Sequence, residues 1–225
     1  MEAPRARREV FVAGATGYLG SRLVPLLALR GHRVRALVRP GSEGKLPEGC
    51  EGVCGDALRM ESFAARVAPA DTFVQLVGVA HPSPAKAALF FEVDLASARA
   101  SAGAAARAGV SHFVYVSVAR PAPVLKPYQQ ARAEAEAFIE QTGLNATILR
   151  PWYVLGPGHR WPYLLLPLYA VAELLPRSRD TARRLGLVTL RQMLAALVFA
   201  AENPIRGIRV LEVPDLRAAG KTFRL

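Results

Sequence analysis

The stretch Val10-Phe11-Val12-Ala13-Gly14-Ala15-Thr16-Gly17-Tyr18-Leu19-Gly20 decides how the chain is read. Apolar residues lead into three glycines, each three positions after the last. Leu19, Leu23, Leu26 and Leu27 then share one helical face. Strand, tight turn and helix in that order are the context that makes a glycine-rich nucleotide loop credible. One glycine permits the sharp turn, a second lets backbone N–H groups approach a pyrophosphate, and a third lets helix and strand pack closely. The helix N-terminus would face the phosphates with its partial positive charge. The spacing is G-x-x-G-x-x-G, not G-x-G-x-x-G, so a strand–turn–helix with incidental glycines is the plain alternative.

The order of parts behind the loop supports the nucleotide reading. Gly31 closes the first helix, and Arg33–Val38 alternates as a second strand. Arg39 stands 19 residues after Gly20, at the strand end where an acid would bind the ribose hydroxyls of NAD. A guanidinium there can grip a 2′-phosphate with two parallel hydrogen bonds, which favours NADP over NAD. Arg35 would assist if its side chain reached the same edge. After the loop Pro40–Gly49, a short third strand near Gly52–Cys54 ends in Gly55-Asp56-Ala57. Asp56 could accept a hydrogen bond from an adenine amino group, or cap a helix starting near Leu58. The apolar run Asp71–Val77 reads as a central parallel strand. It ends at Val77-Gly78-Val79, where a residue without a side chain would let a ribose lie against the backbone. His81, in the loop beyond, reads as a bystander.

A long Ala-rich helix (Glu92–Ala108) follows, then a strand His112–Val116 ending at Ser117, a proline-rich loop, a helix Tyr128–Gln141, a strand Ala146–Leu149 and a turn-rich loop Pro151–Gly158. The alternation predicts an α/β fold, a doubly wound parallel sheet with right-handed crossovers. Further on, Thr189 is placed to cap a helix Leu190–Glu202, Arg209–Val213 reads as a last strand and Pro214–Leu225 as a polar tail. The chain reads as one domain, 1–225, with 151–190 as a small substrate or lid segment. Within it, Trp161–Leu175 is almost wholly apolar, interrupted by two prolines and followed by the basic run Arg177–Arg184. It is too short to span a bilayer. It suits a cover over a pocket, or contact with a membrane surface or a partner protein.

Composition agrees. A chain of 225 residues, 52% hydrophobic and 21% charged, is globular rather than disordered. Cys50 and Cys54 would lie about 13 Å apart along one strand, too far for a disulfide, and no Cys/His cluster accompanies them for a metal. Two reduced cysteines and no visible signal peptide point to a cytoplasmic protein. The net charge of +11 suits anionic ligands. Its even spread, without a basic block carrying interleaved aromatics, argues against nucleic acid.

These residues together resemble the short-chain dehydrogenase/reductase superfamily, in its extended and atypical NmrA-like branches, over nearly the whole chain. The segment Gly14–Gly20, including Thr16, Tyr18 and Leu19, is similar to that family's cofactor loop. Arg39, Asp56 with Ala57, and Gly78 fall where such proteins bind adenosine and ribose. Leu149-Arg150-Pro151, with Tyr153, Val154 and Gly156-Pro157-Gly158, resembles the loop that holds the nicotinamide end. The resemblance implies a Rossmann-like fold and a catalytic set of Ser or Thr followed by Tyr-x-x-x-Lys. Here that set reads Ser117 and Tyr128-Gln129-Gln130-Ala131-Arg132. Arg in place of Lys keeps a positive charge on the tyrosine's helix face but cannot relay a proton. The catalytic hydroxyl of the family falls at Val118 or one position to either side, so Ser117 could aim away from the pocket. Asp94 stands where the family commonly has Asn. For Arg132 the structural alternative is an ion pair with Glu136. The expected function is an NADP-preferring oxidoreductase or epimerase-like enzyme that moves hydride to or from a small carbonyl or alcohol substrate. The alternative is a catalytically silent dinucleotide-binding regulator or assembly factor that uses 161–175 for a partner or membrane surface.

Overall fold

β1 (Glu9–Ala13) is the hub of the sheet. It pairs in parallel with β2 (Arg33–Val38) on one side and with β4 (Thr72–Gln75) on the other. β3 (Cys50–Cys54) extends the β2 side, and β5 (His112–Val116), β6 (Ala146–Leu149) and β9 (Ile208–Leu211) extend the β4 side, all parallel. The order β3-β2-β1-β4-β5-β6-β9 reverses direction at β1. In an open α/β sheet that reversal leaves a crevice beyond the strand's C-terminal end. The computed structural model describes residues 6–157 and 179–222; the apolar stretch Trp161–Leu175 lies outside them.

Strand alternation sorts the core onto two faces. Val10, Val12, Val34, Ala36, Val74 and Val114 pack on the side of α1 (Gly20–Leu29), α5 (Leu190–Glu202) and α6 (Val213–Thr222). Phe11, Phe73 and Phe113 are register partners across three strands on the opposite side. Their rings form a ladder with centroids 5.1 and 5.4 Å apart. That face is covered by α2 (Ala96–Arg107) and α3 (Lys126–Gln141). Small Ala side chains along α2 and α3 let both helices come close to the aromatic row.

Several expectations are corrected. No α-helix begins near Leu58; two short 3₁₀ turns, Met60–Ser62 and Ala64–Arg66, take its place. The Ala-rich helix does not start at Glu92. A turn Ala87–Leu89 leads through a π-helical stretch, Phe90–Leu95, into α2. The loop after Pro151 contains β7 (Tyr153–Leu155), which pairs with β8 (Leu187–Thr189). The polar tail from Pro214 is the helix α6, because Val213 and Leu216, three apart, are fully buried. A short helix α4 (Arg179–Arg184) precedes β8. Thr189 caps α5 as expected, in a reciprocal pair with Gln192. Among the described residues, no helix is long and apolar enough to cross a membrane.

Candidate active site

Gly14 and Gly20 of the opening loop are demanded by backbone packing. Gly14 has φ +88°, and a Cβ there would stand 2.8 Å from Leu76 C and Val77 N on the outgoing end of β4. The N–H of Gly17 donates to Gly14 O at 3.0 Å and closes the turn. A Cβ on Gly20 would lie 2.2 Å from Gly14 O and 2.6 Å from Ala15 Cα. The loop therefore folds onto itself and onto β4, and α1 begins directly above β1. No side chain caps α1 and no acid occupies its first turn. Its N-terminal partial charge is thus left for an anion. A backbone cradle with no room for a side chain at Gly14 or Gly20, facing an uncapped helix end, fits a dinucleotide pyrophosphate. Thr16 is exposed at the loop tip, and Tyr18 and Leu19 are half-buried. Arg22 folds back, donating to Tyr18 O at 2.7 Å and lying 4.5 Å from the Tyr18 ring centroid.

Most of the remaining cofactor candidates stand just beyond strand C-terminal ends of the main sheet, and two lie on β7. Arg39 is exposed beyond β2. Arg35 does not join it, because its guanidinium donates to Ala68 O at 2.7 Å, on the loop that leads into β4. Asp56, after β3, accepts the N–H of Leu58 at 3.0 Å, and Ala57 beside it is half-buried. Val77, Gly78 and Val79 leave β4. The side of Gly78 where a Cβ would stand is filled, with Arg132 Nη2 at 2.5 Å and Asp94 Oδ1 at 3.0 Å. Pro151 is buried and its carbonyl accepts the Ala119 N–H at 2.9 Å. Tyr153 and Val154 are half-buried on β7, opposite Leu187 and Val188.

The three catalytic candidates differ in how they are held. Tyr128, in the first turn of α3, is half-buried. Its ring packs 4.9 Å from Phe90, with the Arg132 guanidinium 5.2 Å from its centroid. Its hydroxyl has no hydrogen-bond partner among the described residues. Arg132 is buried and held by protein partners through both terminal nitrogens. It donates from Nη1 to Val116 O at 2.8 Å and Tyr115 Oη at 3.2 Å, and from Nη2 to Asp94 Oδ1. Its Nε is a buried donor without a partner. Burial opposes the guanidinium's charge, but Tyr115, Tyr128 and Asp94 outweigh it and hold the group protonated. Burial likewise pushes the Tyr115 hydroxyl up to about 12, so it stays a neutral phenol.

Ser117 is buried, and its Oγ donates to Glu136 Oε1 at 2.5 Å. Glu136 also receives Arg120 and both Nε and Nη2 of Arg150, at 3.0 and 2.5 Å for the latter pair. Arg150 in turn reaches Glu212 at 2.9 Å. This hub ties the ends of β5 and β6 to α3 and to the start of α6. The expected alternative for Arg132 is therefore corrected: Glu136 belongs to Arg120 and Arg150, and Arg132 belongs to Asp94. Three groups escaped the sequence reading: Phe90, Asp94 as an ion-pair partner, and Gln129. The Gln129 amide accepts from Ala122 N–H at 2.8 Å and donates to Val124 O at 2.6 Å, shaping the loop before Tyr128. An Arg in a buried helix position, which requires a counter-charge, is the one signal that pointed to a missing acid.

A family profile described as NAD(P)H-binding matches residues 14–160. The chain is 30% identical over 223 residues to a ceramide reductase of Caulobacter vibrioides, covering 98% of this chain and 69% of that one. It is 33% identical over 153 residues to an uncharacterized sugar epimerase of Bacillus subtilis, covering 64% and 71%. Among solved structures, the Bordetella bronchiseptica enzyme WbmH in complex with NAD+ superposes with TM-score 0.67 at 18% identity, over 91% of this chain and 75% of that one. With the glycine loop, the strand order and these relatives in agreement, the chain belongs to the NAD(P)H-binding family.

Proposed function

We propose that this protein is an NADP-preferring oxidoreductase that moves hydride to or from a carbonyl or alcohol, with Tyr128 as its acid–base group. The observation that carries this reading is the contrast among the three catalytic candidates. Arg132 and Ser117 are committed to protein partners, whereas the Tyr128 ring is clamped by Phe90 and Arg132 and its hydroxyl is left unengaged. Gly14–Gly20 and the strand ends would hold the dinucleotide, whose nicotinamide would supply or take the hydride. Tyr128 gives the substrate oxygen its proton in reduction and takes it back in oxidation. Arg132 holds a permanent charge beneath the tyrosine and relays no proton. Ser117 acts on Glu136 rather than on substrate. Arg39, exposed beyond β2, supports the 2′-phosphate preference. Of the exposed large apolar side chains, Leu89 and Val124 stand on the two segments that flank Tyr128. Together with the ceramide reductase among the relatives, they favour an apolar carbonyl substrate.

The test is Tyr128→Phe, assayed by NADPH oxidation on a panel of apolar ketones, with cofactor affinity read separately by intrinsic fluorescence. Turnover should fall by a factor of about 10²–10⁴ while NADPH affinity stays at the wild-type value. Undiminished turnover would remove Tyr128 from the chemistry. The second reading, a silent dinucleotide-binding protein, is favoured by the engagement of Arg132 and Ser117. It predicts NADPH binding with no hydride transfer across the whole panel.

A further inference from the structure

The carboxylate of Asp94 touches two separate parts of the site. Its Oδ2 accepts the backbone N–H of Val79 at 2.9 Å, in the turn that leaves β4. Its Oδ1 accepts Arg132 Nη2, on the helix face below Tyr128. Asp94 is fully buried and lies in the π-helical stretch that interrupts the run into α2. The wider π turn brings Asp94 inward, and the same stretch begins with Phe90, the ring packed on Tyr128. Such bulges are frequent at functional sites. The stretch is braced against β4: Ser97 Oγ donates to Asp94 O at 3.2 Å, and Gln75 donates to Ser97 Oγ at 3.0 Å. Gly78 rests directly on the ion pair, with no room for a side chain between.

The geometry points to Asp94 as a positioning residue that couples the Gly78–Val79 turn to the helix of Tyr128. This rests on the reading that the turn meets the cofactor. A carboxylate suits the place because both partners are donors and each oxygen takes one. An amide offers one acceptor and turns an N–H toward the other donor.

Asp94→Asn should therefore raise the NADPH dissociation constant about tenfold, measured by calorimetry, and lower the melting temperature, since it also strands a buried guanidinium. Asp94→Asn combined with Arg132→Gln removes the stranded charge. The amide introduced at position 94 can then accept from Val79 N–H and donate to the amide carbonyl introduced at position 132. NADPH affinity and melting temperature should both return toward wild type. Asp94→Ala with Arg132→Gln lacks the acceptor and should bind NADPH about tenfold more weakly than the first double variant. This last comparison holds even if the single variant does not fold. Equal NADPH affinity for the two folded double variants would overturn the coupling, as would a folded Asp94→Asn with wild-type affinity. Failure of the wild type to bind NADPH or NADH would instead overturn the site reading itself.

Discussion

Gly20→Ala is a direct test of why the opening loop is built from glycine. The added methyl would sit 2.2 Å from Gly14 O, 2.6 Å from Ala15 Cα and 2.9 Å from Ala15 C. All three neighbours are backbone atoms of the cradle, so no side chain can swing aside. Relief requires the Gly14–Ala15 segment and the start of α1 to separate. Overpacking of this kind costs about 1–3 kcal/mol. For a chain of this size that is a fall of about 2–10 °C in melting temperature. The larger effect is on binding, because the separated elements are those that would hold the pyrophosphate, and NADPH affinity should drop about tenfold or more. Gly44→Ala is the matched control. Gly44 is exposed, and a Cβ there meets nothing within 4 Å. Its substitution should change stability by less than about 0.5 kcal/mol and leave NADPH binding intact. The measurements are thermal unfolding and a fluorescence titration with NADPH on both variants. If Gly20→Ala binds NADPH like the control, the closeness of the loop is not what the ligand needs, and the reasoning fails.

Arg39→Asp should reverse cofactor preference. Loss of a charge-assisted contact to the 2′-phosphate weakens NADPH by roughly 10- to 100-fold with NADH little changed, as measured by parallel titrations; equal losses for both cofactors would dismiss the 2′-phosphate role. Thr189→Ala removes a cap whose Oγ1 accepts Gln192 N–H at 3.2 Å, and should cost about 1 kcal/mol, or roughly 2–4 °C in melting temperature. Glu136 sets an acid limit on stability. Burial alone would push its carboxyl up, but hydrogen bonds from Arg150, Ser117 and Arg120 overcome that and hold it below the usual carboxylate range. A depressed carboxyl contributes stability that is complete above the unfolded value of about 4.3 and lost as pH falls through the lower folded value. Melting temperature should thus decline in that acid window, and Glu136→Gln should melt lower at pH 7 with a flatter acid dependence; a parallel pH curve for the variant would count against the hub.

Much of the fold was legible because its signals are short-range. All seven strands of the main sheet follow from short apolar or alternating runs, and Thr189 before an apolar helical run marks its cap. Where the reading missed, longer-range packing decided. The segment after Pro214 carries many polar residues, yet Val213 and Leu216 find a buried seat beside α5 and make it a helix. The stretch after Asp56 has helix-forming residues, but Phe63 and Val67 are drawn into the aromatic face and leave only 3₁₀ turns.

The same division runs through the site. The positions of Gly14, Gly17, Gly20, Arg39, Gly78 and Tyr128 follow from local spacing, because a turn, a strand end or a helix face is defined within a few residues. Which groups stay open to a ligand does not. Arg132 is bound by Asp94, 38 residues away in sequence, and Ser117 by Glu136, 19 residues away. Neither pairing has a local signature, since each depends on how α2 and α3 settle against the same face of the sheet. A side chain's chemistry is written in the chain, but what it can still bind depends on what packing leaves beside it.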